Sequence, residues 1–336
     1  MKSKIFITFF ILLSSICLPS VLAQTAGSLD SAVTRAKDAR KMAGDFEANT
    51  YFPGEWETAE KQYNEAVLLA KKPGDEAVSA YNKAADSFEK LSELTVLLYA
   101  QAREDEIMAL RGYLIDLGAR ETFYEYLLEA DKAALLAFSK FEDKDYYPAR
   151  DSAAFALNKF NVLDTAFNAW LLRVELKERG FQGYEPENFE TGDETLVDAM
   201  DAYMKDDLRT AQEKAEKALS LYNLVLSNAW VNYAELRSSL AEGERLAALD
   251  MKTNIAAREF FGMADSENKT ALDLMEAKQY EDAAKMFIDA EAMFVIASMA
   301  TLEKRRTAAA AIKNANEKIQ ESEKLARAAG YSLREF

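Results

Sequence analysis

A spacing of small and large apolar residues that returns four times limits this chain more than any other feature. In residues 145–160, DYYPARDSAAFALNKF, the side chains of Tyr146, Ala149, Ala153, Ala156 and Phe160 step by three, four, three and four residues, which stacks them on one stripe of a helix. The same ladder is Leu208, Ala211, Ala215, Ala218, Tyr222, then Tyr280, Ala283, Phe287, Ala290, Phe294, and earlier Gly74, Ala77, Tyr81, Ala84, Phe88. Four copies make this an all-α helical-repeat chain.

The first alanines of the ladders stand at 77, 149, 211 and 283, so the steps are 72, 62 and 72 residues. Copies one and three are therefore 134 residues apart, as are copies two and four, and the duplicated unit is a pair of hairpins. A second landmark agrees, because YFPGEWET from Tyr51 returns as YEPENFET from Tyr184, an offset of 133. The expected fold is an elongated array of antiparallel hairpins in two duplicated halves, residues 24–179 and 180–336.

Residues 1–23 read as a secretory signal, with Lys2 and Lys4, an apolar run over residues 5–18, and Val21, Leu22 and Ala23 before the cleavage point. The run is short for a bilayer span of about 20 residues, and Ile16 is a poor residue to precede a lipid-modified Cys17. The expected location is the periplasm or the exterior, with no transmembrane span once the signal is removed. Losing Lys2 and Lys4 from 41 basic residues leaves 39 against 57 acidic ones, a net charge of −18. Such a surface repels nucleic-acid backbones and anionic headgroups.

The chain has no histidine, and its one cysteine lies in the signal. That closes disulfides, thiolate nucleophiles, serine–histidine and cysteine–histidine arrangements, and zinc sites built on imidazole or thiolate. It also closes the Glu-x-x-His pairs of helical di-iron centres. No enzyme activity, metal or cofactor is expected.

With 12 glycines and five prolines in 336 residues, few breaks are available and long helices follow. A first helix is expected over residues 29–43, ended by Gly44, and a second from Pro53, with Glu55 and Glu57 in its first turn, to Pro73 and Gly74. The first ladder helix is expected to stop at Gly112, the third near Glu242, with a further helix over residues 246–277. Residues 179–183, RGFQG, form the clearest linker and coincide with the seam of the duplication. Residues 307–329 are expected to be a separate closing helix after a kink or loop at Arg305 and Arg306, its stripe being Ala308, Ile312, Ala315, Ile319 and Ala326.

The ladder is similar to the second helix of a tetratricopeptide repeat, and Trp56, Ala59, Glu60 and Tyr63 resemble that family's first helix. The likeness covers four segments of about 35 residues. Glu60 replaces the family's small glycine, and no proline ends the helices after Phe88, Phe160, Tyr222 and Phe294. The resemblance therefore implies long hairpins with tetratricopeptide-like contacts in place of a regular superhelix. The Tyr-x-Pro-x-x-aromatic entry before alanine-rich helices also looks similar to helical-repeat proteins of bacterial envelopes.

Glu104, Asp105 and Glu106, and Asp206 and Asp207, read as a solvated face or helix cap, and Asp143, Lys144 and Asp145 as a turn. Asn161 and Asn223 occupy equivalent ladder positions, and the tetratricopeptide likeness implies that they could clamp a peptide. Trp170, Trp230 and Tyr184 are the aromatic candidates for a partner surface, with core packing as the competing role for the two tryptophans. The expected function is a non-catalytic scaffold that holds another envelope protein or peptide. A ligand-binding accessory of a solute transporter, with an apolar pocket near residues 180–183, is the alternative, and an envelope spacer is a third.

Overall fold

The computed structural model describes residues 29–71, 75–328 and 330, and among them every regular element is helical. The expected signal, with Cys17, lies outside the described residues, as do Pro73, Gly74 and the last expected residue of the closing helix. The helices are α1 (Leu29–Asp45), α2 (Ala48–Tyr51), α3 (Pro53–Leu69), α4 (Glu76–Asp116), α5 (Ala119–Thr122), α6 (Tyr124–Glu142) and α7 (Tyr146–Glu178). After a 3-10 turn at Phe181–Gly183 come α8 (Pro186–Met204), α9 (Leu208–Asp250), α10 (Thr253–Ala256), α11 (Arg258–Glu276) and α12 (Tyr280–Ala328). The chain folds as two compact units, Met1–Asp105 and Glu106–Phe336, so the division falls inside α4 and the 179–183 segment belongs wholly to the second unit.

In the first unit, α1 buries Ala32, Ala36, Ala39 and Ala43, while α4 contributes Ala77, Tyr81, Ala84 and Phe88, the ladder residues the spacing picks out. Alanine on both sides lets helix axes approach to about 8 Å, and the aromatic rings fill the remaining volume. Trp56 and Tyr63 of α3 meet the ring of Phe88 edge-on, at 5.3 and 6.5 Å between centroids.

In the second unit, α6, α8 and α11 are each followed by a three-residue loop and a long helix, and each packs against the long helix that follows. Ala149, Ala153, Ala156 and Phe160 of α7, Ala211, Ala215, Ala218 and Tyr222 of α9, and Ala283, Phe287, Ala290 and Phe294 of α12 are completely buried. Each fully buried Phe stabilises the fold by about 1.5–3 kcal/mol relative to exposure, so the ladders supply much of the core. The leading Tyr146, Leu208 and Tyr280 sit at the rim, half-buried.

The loops use left-handed residues. Lys144, Asp206 and Lys278 have φ near +60° in the three-residue turns, and Glu47, Gly118, Gly180 and Lys252 take positive φ just after a long helix or α1. Only two of these seven positions are glycine, so glycine marks the breaks poorly. Gly112, the expected stop, and Gly243, just past the expected end near Glu242, lie inside α4 and α9 with open space around them. The chain turns six residues later at Gly118 and nine later at Lys252. The expected helix from residue 246 begins instead at Arg258, after α10. Of the two readings of Asp206 and Asp207, the helix cap holds for Asp207, which caps α9 and accepts a hydrogen bond from the Thr210 amide at 3.2 Å.

No break occurs at Arg305 and Arg306, and α12 runs on for 49 residues. The Lys304 ammonium donates to the Ala256 carbonyl at 2.7 Å and Arg305 donates to the Met251 carbonyl. Cations at the carbonyl-rich ends of α9 and α10 are favourable, so these two residues fasten α12 where a kink was expected. Residues 302–328 are almost entirely exposed; the expected separate closing helix is the continuation of α12, and it covers no described residue as a lid.

Candidate interaction surface

Between each short helix and the helix end lying across it, one ion pair recurs at one spacing. Arg40 reaches Glu60, Arg111 reaches Asp131, Arg173 reaches Asp193 and Arg245 reaches Asp265, at 2.5 to 2.7 Å and always 20 residues apart. The first lies in the first unit and the others in the second. Glu60, which departs from the tetratricopeptide pattern, is one of the four carboxylates. Each pair is fixed on rigid helix, and in the first three two guanidinium nitrogens engage one carboxylate, the geometry that arginine offers.

The α8–α9 contact is a variant of the other three. The other three carry Phe88, Phe160 and Phe294 at the end of the ladder and Ala59, Ala130 and Ala264 just before the carboxylate, each pair sharing one core cluster, whereas here those two positions are Tyr222 and Gly192. A methyl on Gly192 would lie 2.8 Å from the Tyr222 ring, so the glycine makes room for it. The Tyr222 hydroxyl donates to Asp193 at 2.6 Å. Burial pushes the Asp193 carboxyl up, but the Arg173 guanidinium and the Tyr222 hydroxyl outweigh it and hold the group below the usual carboxylate range. Burial and then the neighbouring carboxylate push the Tyr222 phenol well above its ordinary value, so it stays a donor. Nearby, buried Lys159 reaches Asp206 at 2.6 Å with its ammonium 4.4 Å from the Tyr203 ring centroid, and the Tyr203 hydroxyl donates to the Tyr126 carbonyl. These polar groups are occupied with one another and serve the packing.

The aromatic candidates fall into two clusters. Trp170 stacks on Phe167 at 5.5 Å and meets Phe123 edge-on at 6.2 Å. Trp230 meets Phe181 at 5.0 Å beneath the Arg179 guanidinium, and Tyr184 meets the same Phe181 from another side at 5.9 Å. Phe181 thus brings Trp230 and Tyr184 together, and both tryptophans are half-buried. Asn161 and Asn223 are exposed on α7 and α9, and the Asn223 amide donates to the Leu219 carbonyl of its own helix at 3.0 Å. A surface groove lies between α3 and α4, lined by Gly54, Glu55, Thr58, Ser87, Lys90 and Leu94, in the first unit, whereas residues 180–183 belong to the second.

An uncovered apolar face runs along the far end of α12. After Thr301, which is fully buried, the stripe continues through Ala308, Ile312, Ala315, Ile319 and Ala326, yet Ile312 is 63% and Ile319 56% exposed. Reading residues 307–329 as a lid missed this surface; the signal that could have found it is seven Lys and Arg against four Glu in residues 302–328, on a chain of net charge −16. No described helix is long and apolar enough to cross a membrane. The chain matches no protein-family model, no curated protein and no solved structure.

Proposed function

We propose that this protein is a non-catalytic helical-repeat scaffold of the cell envelope that holds another protein or peptide by helix-face contact. The observation that carries the reading is the apolar stripe of α12, exposed from residue 302 to residue 328 while the same stripe is buried before it. A helix face of this kind is a contact surface. The four ion pairs at constant spacing and the recurring left-handed turns support four tetratricopeptide-like hairpins in two duplicated halves. An export signal over residues 1–23 puts the work outside the cytoplasm.

Photo-cross-linking residues introduced singly at Leu97, Tyr184, Asn223 and Ile312, in cells that make the protein, test the reading. It predicts adducts with one protein at one or more positions, reproduced when that protein carries the cross-linker. Adducts at none of them, with a small molecule co-purifying, would replace it by the transporter-accessory reading.

A further inference from the structure

We propose that residues 302–328 of α12 are a docking helix for an acidic amphipathic helix of a partner protein. This rests on the scaffold reading and names the kind of partner it takes. Two observations fix the occupant. The first is how this chain covers its own helix ends. The four short helices that lie across such ends are all acidic, with net charges of −3 for α3, −2 for α6, −6 for α8 and −3 for α11. Each gives a carboxylate to an arginine of the helix it covers. What covers a helix end in this fold is an acidic helix.

The second is the distribution of charge around the α12 stripe. Glu303 and Glu321 each stand nine residues from Ile312, and Glu317 stands nine from both Ala308 and Ala326, two and a half turns away and so on the opposite side. Lys304, Arg305, Lys318 and Arg327 lie within about a quarter turn of the stripe on its two flanks, Lys304 and Arg305 engaged at the Ala256 and Met251 carbonyls and Arg327 3.9 Å from Glu323, the one carboxylate on a flank. The face is apolar at its centre and carries four cations against one carboxylate at its borders. A second copy docking through the same face would set like charges together, and the two bodies are themselves strongly acidic. A bilayer would gain little from Ala308, Ala315 and Ala326, whereas those alanines let a partner helix approach closely while Ile312 and Ile319 fill the gaps. The binding is electrostatically steered and weakens with salt.

The test uses the full chain with a synthetic peptide of the α8 sequence, Pro186–Met204, as the acidic probe, and a version with its six carboxylates changed to amides. Binding is measured by anisotropy of the labelled peptide, and its position by hydrogen–deuterium exchange. The acidic peptide should protect residues 302–328, bind more tightly than the amide version, and lose about tenfold in affinity in Lys318→Glu/Arg327→Glu. Ile312→Ser should weaken it too, and neither variant should lower the melting temperature, since these side chains are exposed. No binding, equal binding of the two peptides, or an unchanged affinity in the charge-reversed variant overturns the proposal. So does protection of residues 302–328 by phosphatidylglycerol vesicles alone, or dimerisation through this helix in sedimentation. Adducts at Leu97, Tyr184 or Asn223 would leave the scaffold reading standing while this proposal falls.

Discussion

The far ends of α9 and α12 follow equivalent ladders and meet opposite fates. In α9 the residues beyond the ladder, Ala229, Ala234, Ala241 and Ala248, are completely buried, and Arg237 and Arg245 pair with Glu291 and Asp265 of α12 and α11. In α12, Thr301 is the last buried residue, and beyond it Leu302, Ile312, Ile319 and Leu325 are each more than half exposed. Both ends carry a small-apolar stripe at helical spacing. A stripe therefore specifies which face of a helix will be covered; the cover itself has to come from another element.

The sharpest way to break the comparison is to enlarge one alanine on each end. Ala241→Phe overpacks a closed seam and should cost about 1–3 kcal/mol, whereas Ala315→Phe on the open stripe should leave the thermal midpoint unchanged, both read by circular dichroism. Equal destabilisation would mean that the α12 stripe is packed.

Within the closed seams, Gly192→Ala should cost about 1–3 kcal/mol, because its methyl would fall 2.8 Å from the Tyr222 ring. Adding Tyr222→Phe recreates the Ala and Phe combination found at the equivalent positions of the other three hairpins, frees the ring from Asp193, and should recover part of the loss. A double-mutant cycle showing plain additivity would remove the link between the two positions.

The next effect is pH-dependent. Because the folded protein holds the Asp193 carboxyl below its usual range, its contribution is complete above the unfolded value of about 4 and is lost as the pH falls through the lower folded value. Asp193→Asn should therefore cost about 1–2 kcal/mol at neutral pH, with the gap from the wild type closing in acid. A gap that stays constant down to the acid transition would contradict the Arg173 and Tyr222 contacts. The smallest effect is expected at the boundary between the two halves of α12, where Arg305→Ala loses an exposed contact to the Met251 carbonyl. It should cost no more than about 0.5–1 kcal/mol by denaturant titration.

The ladders were legible because alanine and aromatic residues at steps of three and four read as a buried helix stripe, and every described alanine and Phe in them is buried. Pro53 likewise stands at the helix start expected of it. The break at Lys252 was hidden, since a left-handed turn held by backbone hydrogen bonds such as Lys252 N–H to Leu249 O leaves no mark of its own in residue type. The ion pairs were present at constant spacing but invisible to a search for apolar periodicity. Of the five candidate site residues, Trp230 and Tyr184 meet through Phe181, Trp170 belongs to a separate cluster, and Asn161 and Asn223 stand exposed on separate helices. Arg305 and Arg306 looked like an interruption, yet the ends of α9 and α10 offer free carbonyls, and Lys304 and Arg305 are the cations they attract.

Native-state hydrogen exchange along α12 is the most direct measurement. In the chain alone, amides of residues 283–301 should exchange as slowly as those of residues 234–248 in α9, while amides of residues 302–328 should exchange far faster, as an uncovered helix frays. Uniform slow exchange from residue 283 to residue 328 would show the far end of α12 already covered, and the docking face would not exist.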